Sequence, residues 1–194
     1  MIPGINWSAL ISVVSAGSII VGSTVILWQK NLEKIFAFLL LHQAGNLLIG
    51  LTSASTEGTD AVIYNLIVLL IQMTGILFCL SVFEQRYRAM TIDDLKQKGK
   101  NSPILFFSFL FFISSIAGLP LSAGFSGRML LVYASVSNDL FWLPALSILT
   151  SLVIFYFIFR LTYEIFSGKP AINEINLETH HKFILLVLLL PAIL

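Results

Sequence analysis

The sequence predicts an all-α, polytopic membrane protein of about six transmembrane helices, the fourth of them discontinuous. Three observations predict it. Of 194 residues, 57% are hydrophobic and only 11% charged, with a mean hydropathy of +0.93, whereas an ordinary soluble domain carries about 25% charged residues. Apolar stretches recur along the whole chain at about 20 residues, the length needed to cross about 30 Å of hydrocarbon at about 1.5 Å per residue. The basic residues, finally, fall on alternate linkers. A net charge of +1 leaves no electrostatic footprint for nucleic acid. The single cysteine, Cys79, excludes a disulfide framework or a cysteine metal site.

The spans are expected at about 7–28, 35–52, 61–83, 103–137 and 141–166, with a sixth at 177–194, all within one membrane domain. The last is apolar from Phe183 to Leu194, so it crosses only if its helix starts near Leu177, with His180, His181 and Lys182 at the interface. The first is not expected to be a signal peptide, because MIPGINW has no basic residue and WQKNLEK follows in place of a small-residue cleavage site.

Lys30 and Lys34 lie in the first linker. Arg86, Arg88, Lys96, Lys98 and Lys100 lie in the third, and Arg160, Lys169 and Lys182 lie around the fifth. Ten of the eleven basic residues thus share one side of a six-span arrangement, and the opposite side holds Glu57, Asp60 and Asp139. The positive-inside rule therefore places both termini outside. The remaining basic residue, Arg128, lies within a span.

In the first span Ser8, Ser12, Ser15, Ser18 and Gly22 recur at steps of three and four. Such a stripe lets two helices approach closely where lipid gives no hydrophobic drive, and packing alone accounts for it. In the second span His42, Gln43 and Asn46 sit near mid-depth. A histidine can relay protons near neutral pH, although a histidine that is merely hydrogen-bonded is the commoner case. In the third span Asn65, Gln72 and Cys79 recur every seven residues. Amides in lipid need partners, so this face points into the bundle, as structural glue or as the lining of a proton path. The adjacent His180 and His181 have no third ligand nearby, and no metal site is expected.

The fourth span is too long. Its 35 residues would make a straight helix of about 52 Å. Its middle reads GLPLSAGFSG, with Gly118, Pro120, Gly124 and Gly127 expected to break the helix over 118–127. Irregular backbone at membrane depth is tolerated only against protein or a water-filled cavity, and broken helices are a device of ion and solute transporters. Arg128 follows the break directly, and an intramembrane charge is a functional-site hypothesis by default. No acid lies within the first four spans to pair with it, so water, backbone or another subunit must. Arg160 and Glu164, one turn apart, form a simple interfacial pair.

Three segments carry a family resemblance: ILWQKNLEKIFAFLLLHQAGNLLIGL (26–51), DDLKQKGKNSPILFFSFLFFISSIAGLPLSAGFSGRMLLVYA (93–134) and SILTSLVIFYFIFRLTYEIF (147–166). In this order they resemble the C-terminal half of subunit 2 of NADH–ubiquinone oxidoreductase, respiratory complex I, an antiporter-like proton-channel subunit. The resemblance implies a fold of two inverted five-helix repeats, of which this chain would supply the second and the final helix, an antiporter-like half-repeat. It also implies a split subunit, whose N-terminal half is a separate chain. Arg128 stands where the family usually has lysine, and arginine effectively cannot change protonation state. A path there would use Arg128 as a fixed electrostatic gate, with neighbours or water carrying the proton. Gln43 falls where the family often has histidine, His42 lies one residue earlier, and Glu33 and Lys34 replace a basic pair. Arg128, His42, Gln43, Lys34, Asn65 and Gln72 are therefore the proton-path candidates.

The function expected is that of a membrane-arm subunit of proton-translocating NADH:ubiquinone oxidoreductase, contributing a half-channel towards the outer face. It would carry no redox centre, no cofactor and no catalytic residue of its own. Its partners would be the N-terminal half, other membrane-arm subunits and lipid. Location is expected in the mitochondrial inner membrane, with a bacterial plasma membrane as the alternative. Competing readings are a stand-alone cation/proton antiporter and a structural scaffold that no longer pumps.

Overall fold

The computed structural model describes residues 7–96, 102–137 and 141–167, together with helical residues 184–187, 189, 192 and 193. In chain order the helices are α1 (Trp7–Val25, extended by a 3-10 turn Ile26–Trp28), α2 (Leu32–Thr52), α3 (Thr56–Tyr87), α4 (Ile92–Leu95), α5 (Pro103–Ala117), α6 (Ala123–Val136) and α7 (Trp142–Phe166). Among the described residues the one strand-like pairing is an isolated antiparallel bridge between Asn31 and Thr91. The protein is thus an all-helical membrane protein. Among the described residues, four helices are long and apolar enough to cross a bilayer: α1 with its 3-10 turn, α2, α3 and α7. With 15 and 14 residues, α5 and α6 reach only about 22 and 21 Å, so neither crosses alone.

Capping explains where the helices outrun the expected spans. The Asn31 carboxamide accepts the Lys34 N–H at 3.0 Å, so α2 begins at Leu32 rather than residue 35. Ser55 accepts the Gly58 N–H at 3.1 Å, and Glu57 in the first turn suits the positive end of a helix, so α3 begins at Thr56 rather than residue 61. It runs on to Tyr87 and stops at a left-handed Arg88. The break in the fourth span is narrower than expected, covering 118–122, because Ser122 caps a new helix and returns Gly124 and Gly127 to regular α6 backbone. Of the expected sixth span, only the helical residues named above are described; His180, His181 and Lys182 lie outside the described residues.

The core divides along the bundle axis. One large apolar cluster joins the first half of α2 (Leu32, Ile35, Leu39), the second half of α3 (Met73 to Phe83), α5 and the second half of α7 (Ile154 to Ile165). Phe83 anchors it, with ring centroids 4.9 Å from Phe106 and 5.1 Å from Phe109. At the other end the apolar clusters are small, Ile19–Ile49–Leu143 and Ala61–Val62–Leu131. There α1 lies close on α2: Ser15 Oγ donates to the Gly45 carbonyl at 2.8 Å. A Cβ on Gly22 would come within 2.6 Å of the His42 backbone nitrogen. The small-residue stripe of α1 is used as its spacing suggested, with Ser12, Ser15 and Gly22 buried.

The basic linkers meet at the end closed by the large cluster. Leu32 N donates to Met90 O at 3.0 Å and Ile92 N to Lys30 O at 2.8 Å, joining the α1–α2 and α3–α4 linkers. Asp93 takes Lys30 at 3.0 Å and Lys96 at 2.5 Å, which holds its carboxyl below the usual carboxylate range and Lys96 above the usual lysine range. Lys96 also faces Glu164 at 3.8 Å, and Arg160 pairs with Glu164 at 2.9 Å as its spacing predicted.

Candidate functional site

The site begins where α5 ends. Gly118 adopts a left-handed conformation at φ 88°, which an L side chain resists. With it comes a paired C-terminal cap: Leu119 N donates to Ser114 O at 2.9 Å and Gly118 N to Ser115 O at 3.0 Å. A helix leaves four carbonyls unpaired at its C-terminus, and this cap satisfies two of them. The other two belong to Ile116 and Ala117. Arg128 reaches back from the second turn of α6 and satisfies both, Nη2 to Ile116 O and Nη1 to Ala117 O, each at 2.9 Å. Nη1 also donates to the Ser151 hydroxyl on α7. Arg128 is only 6% exposed and makes no ion pair among the described residues. Its charge rests on oriented dipoles, the negative end of α5 among them.

A second cluster lies between α2 and α7. His42 is fully buried, with Nε2 3.3 Å from Thr150 Oγ1 and Nδ1 3.2 Å from Asn46 Nδ2. Asn46 Nδ2 also donates to Gln43 Oε1 at 3.1 Å, and Asn46 Oδ1 accepts from Ser147 Oγ at 2.5 Å. The Ser147 carbonyl then accepts from Thr150 Oγ1 at 3.1 Å and from Ser151 Oγ at 2.7 Å. His42 is thereby linked to Arg128 through Asn46, Ser147 and Ser151. A carbonyl can orient donors but carries no proton of its own. The run therefore positions its members, and His42 is its one group whose ordinary pKa lies near neutrality.

The third-span amides are placed separately. Asn65 Nδ2 donates to Gly127 O at 2.7 Å and Ala61 O at 2.9 Å, fastening α3 to α6. Gln72 is buried and donates from Nε2 to Ser115 Oγ at 2.7 Å, one turn before the break, while its Oε1 finds no partner among the described residues. The two glycines displaced from the break serve this packing. A Cβ on Gly127 would meet Asn65 Oδ1 at 2.5 Å, and one on Gly124 would collide with the Ser115 carbonyl of α5 and meet Gln72 Nε2 at 2.8 Å.

Of the expected candidates, the structure brings together Arg128, His42 and Gln43, with Gly118 beneath the guanidinium. Asn65 and Gln72 approach from α3. Lys34 is not brought in: it is exposed in the first turn of α2, two turns before His42, at the basic end. Cys79 continues the seven-residue spacing into the apolar cluster, where it has no polar role. Pro120 lies in the break, beside Leu121, which is left-handed at φ 70° and 91% exposed. Sequence reasoning missed Ser147, Thr150 and Ser151. Their i, i+3, i+4 spacing in SILTS marks one polar face of an otherwise apolar helix and could have found them.

Comparison with known proteins places this geometry. Residues 1–154 match the model of a family described as NADH:quinone oxidoreductase/Mrp antiporter, TM. Among curated proteins, NADH-quinone oxidoreductase subunit N 2 of Chloroherpeton thalassium is 31% identical over 163 residues, 83% of this chain and 32% of that protein. Among solved structures, a chain of respiratory complex I from Thermus thermophilus superposes with a TM-score of 0.87 at 20% identity, over 96% of this chain and 40% of that one. A chain of the Mrp complex from a Dietzia species gives 0.78 at 22% identity, over 86% and 31%. The chain spans about a third of the length of the curated relative it matches.

Proposed function

We propose that this chain, which belongs to the NADH:quinone oxidoreductase/Mrp antiporter transmembrane family, is part of a proton-translocating, antiporter-like subunit in the membrane arm of an NADH–quinone oxidoreductase. The observation that carries the reading is the buried run from His42 to Arg128 beside a broken helix. In this reading His42 takes and releases the proton. Arg128 supplies a fixed positive charge at the other end of the run. Asn46 and Thr150 fix the imidazole orientation, and water between the polar ends of the helices completes the route. Electron transfer takes place in other subunits.

Relatives in this family are subunits of larger assemblies, so the partners proposed are other membrane-arm subunits and an N-terminal repeat of the same subunit supplied by further protein. The curated relatives are bacterial, so the membrane proposed is a bacterial plasma membrane in place of the mitochondrial inner membrane. With the basic linkers on the cytoplasmic side, the polar half of the bundle faces outward, and the chain provides the outer half-channel.

The test is His42→Gln in the assembled complex, in sealed membrane vesicles. NADH oxidation by quinone should continue while the protons moved per electron fall. An unchanged ratio would remove His42 from the path. One observation favours a scaffold instead: Arg128 is held by fixed acceptors and cannot titrate. The scaffold reading expects that same unchanged ratio.

A further inference from the structure

The Arg128 guanidinium is held in an unusual way for a buried charge. Its three acceptors are the Ile116 carbonyl, the Ala117 carbonyl and the Ser151 hydroxyl, and no described acid pairs with it. The acceptors come from two elements, α5 and α7, so they do not follow Arg128 as its own helix turns. Ser151 gives its proton to Ser147 O at 2.7 Å, which leaves a lone pair facing Arg128. Gly118 forms the floor of this cradle, where a Cβ would stand 3.3 Å from Nε. Carbonyls and a hydroxyl converging at the end of a half-helix are the donor set with which membrane proteins hold small monovalent cations. Such a set carries no net charge, so it suits one positive charge and not two.

We propose that Arg128 is a tethered cation, seated in a site for one small monovalent cation built by Ile116 O, Ala117 O and Ser151 Oγ above Gly118. The side chain fills the site permanently, so the intact chain binds no metal cation there. This goes beyond the proton-path reading and does not depend on it, because the site would exist whether or not His42 carries protons.

Removing the tether should expose the site. The full-length chain with Arg128→Ala, extracted from its membrane in mild detergent, should unfold at a lower temperature than the unsubstituted chain. Millimolar methylguanidinium should return most of the lost midpoint, and Na+ or K+ some of it. Tetramethylammonium, which neither donates hydrogen bonds nor fits between oxygens, should return none. The unsubstituted chain should respond to none of these salts, and Ser151→Ala in the Arg128→Ala background should weaken the recovery. Equal effects of methylguanidinium and tetramethylammonium, or no recovery, would overturn the proposal. If Arg128→Ala does not accumulate in membranes, Arg128→Lys against Arg128→Met decides. Lysine keeps a cation within reach of the carbonyls and should accumulate well above methionine; equal levels would overturn the proposal.

Discussion

The two halves of the bundle are built on opposite principles. The half near the basic linkers is closed by large aromatic and aliphatic side chains around Phe83, Phe106 and Phe109. The other half is held by small residues and buried hydroxyls and amides, among them Ser15, His42, Asn46, Ser147 and Ser151. In lipid, helix association relies on packing and on interhelical hydrogen bonds, since apolar surface gains little by leaving the hydrocarbon. One half uses the first of these means and the other the second. The difference teaches that the two means are kept apart along the bundle. The buried polar groups run from the α1–α2 contact to Arg128 and give way to the phenylalanine cluster beyond it.

Four experiments would break or sharpen this contrast, in descending order of expected effect. Phe106→Ala, in the closed half, should destabilise by about 3 kcal/mol, the low end for a buried phenylalanine because the unfolded helices remain in lipid. Equilibrium unfolding in detergent micelles measures it, and a loss well under 1 kcal/mol would mean the cluster is loosely packed. Gly22→Ala, in the polar half, places a Cβ within 2.6 Å of the His42 backbone. Helices α1 and α2 must separate, at a cost of about 2 kcal/mol by analogy with overpacked cores. It should also loosen the contact between His42 and Thr150, seen as a changed imidazole tautomer signal by NMR.

Smaller still is the coupling between Asn46 and Ser147. A double-mutant cycle with Asn46→Ala and Ser147→Ala should return about 0.6 kcal/mol, the usual scale for hydrogen bonds between membrane helices. Zero coupling would mean that the run from His42 to Arg128 is not continuous. The smallest effect belongs to the surface cluster at the basic end. The depressed Asp93 carboxyl contributes stability that is present above its unfolded value of about 3.9 and is lost as pH falls through its lower folded value. Asp93→Asn should therefore lower stability slightly at pH 7, the difference fading as pH falls through the depressed folded value and in high salt. Thermal midpoints across pH test both conditions.

The discontinuous fourth span was legible because Pro120 breaks a helix, Gly118 weakens one, and a 35-residue, mostly apolar span is longer than a bilayer needs. Its true extent was not. Ser122 caps α6 early, and Gly127 lets α3 approach while Gly124 lets the end of α5 and then α3 approach, a demand set by tertiary packing that local propensity does not show. Arg128 was legible as a misplaced charge. Its partners were not, since a search for acids sees side chains only, and the acceptors here are main-chain carbonyls freed by the way α5 ends. The seven-residue spacing of Asn65, Gln72 and Cys79 was read as one face. It crosses from the polar half into the closed half, and only the first two residues meet polar partners. Ser147, Thr150 and Ser151 were overlooked because single hydroxyls in an apolar helix usually bond their own backbone, and Thr150 and Ser151 do that as well.

The carbonyl cradle also changes how this chain tolerates substitution. Every amino acid at positions 116 and 117 presents the same main-chain oxygen, so either side chain can drift while the acceptors stay in place. The chemical constraint falls on Gly118, which turns the chain, and on Arg128, which answers the turn. A family diverging around such a site would keep its turn, its cation and a hydroxyl at position 151, while at 116 and 117 only packing in the core, and not the cation, limits the choice of side chain.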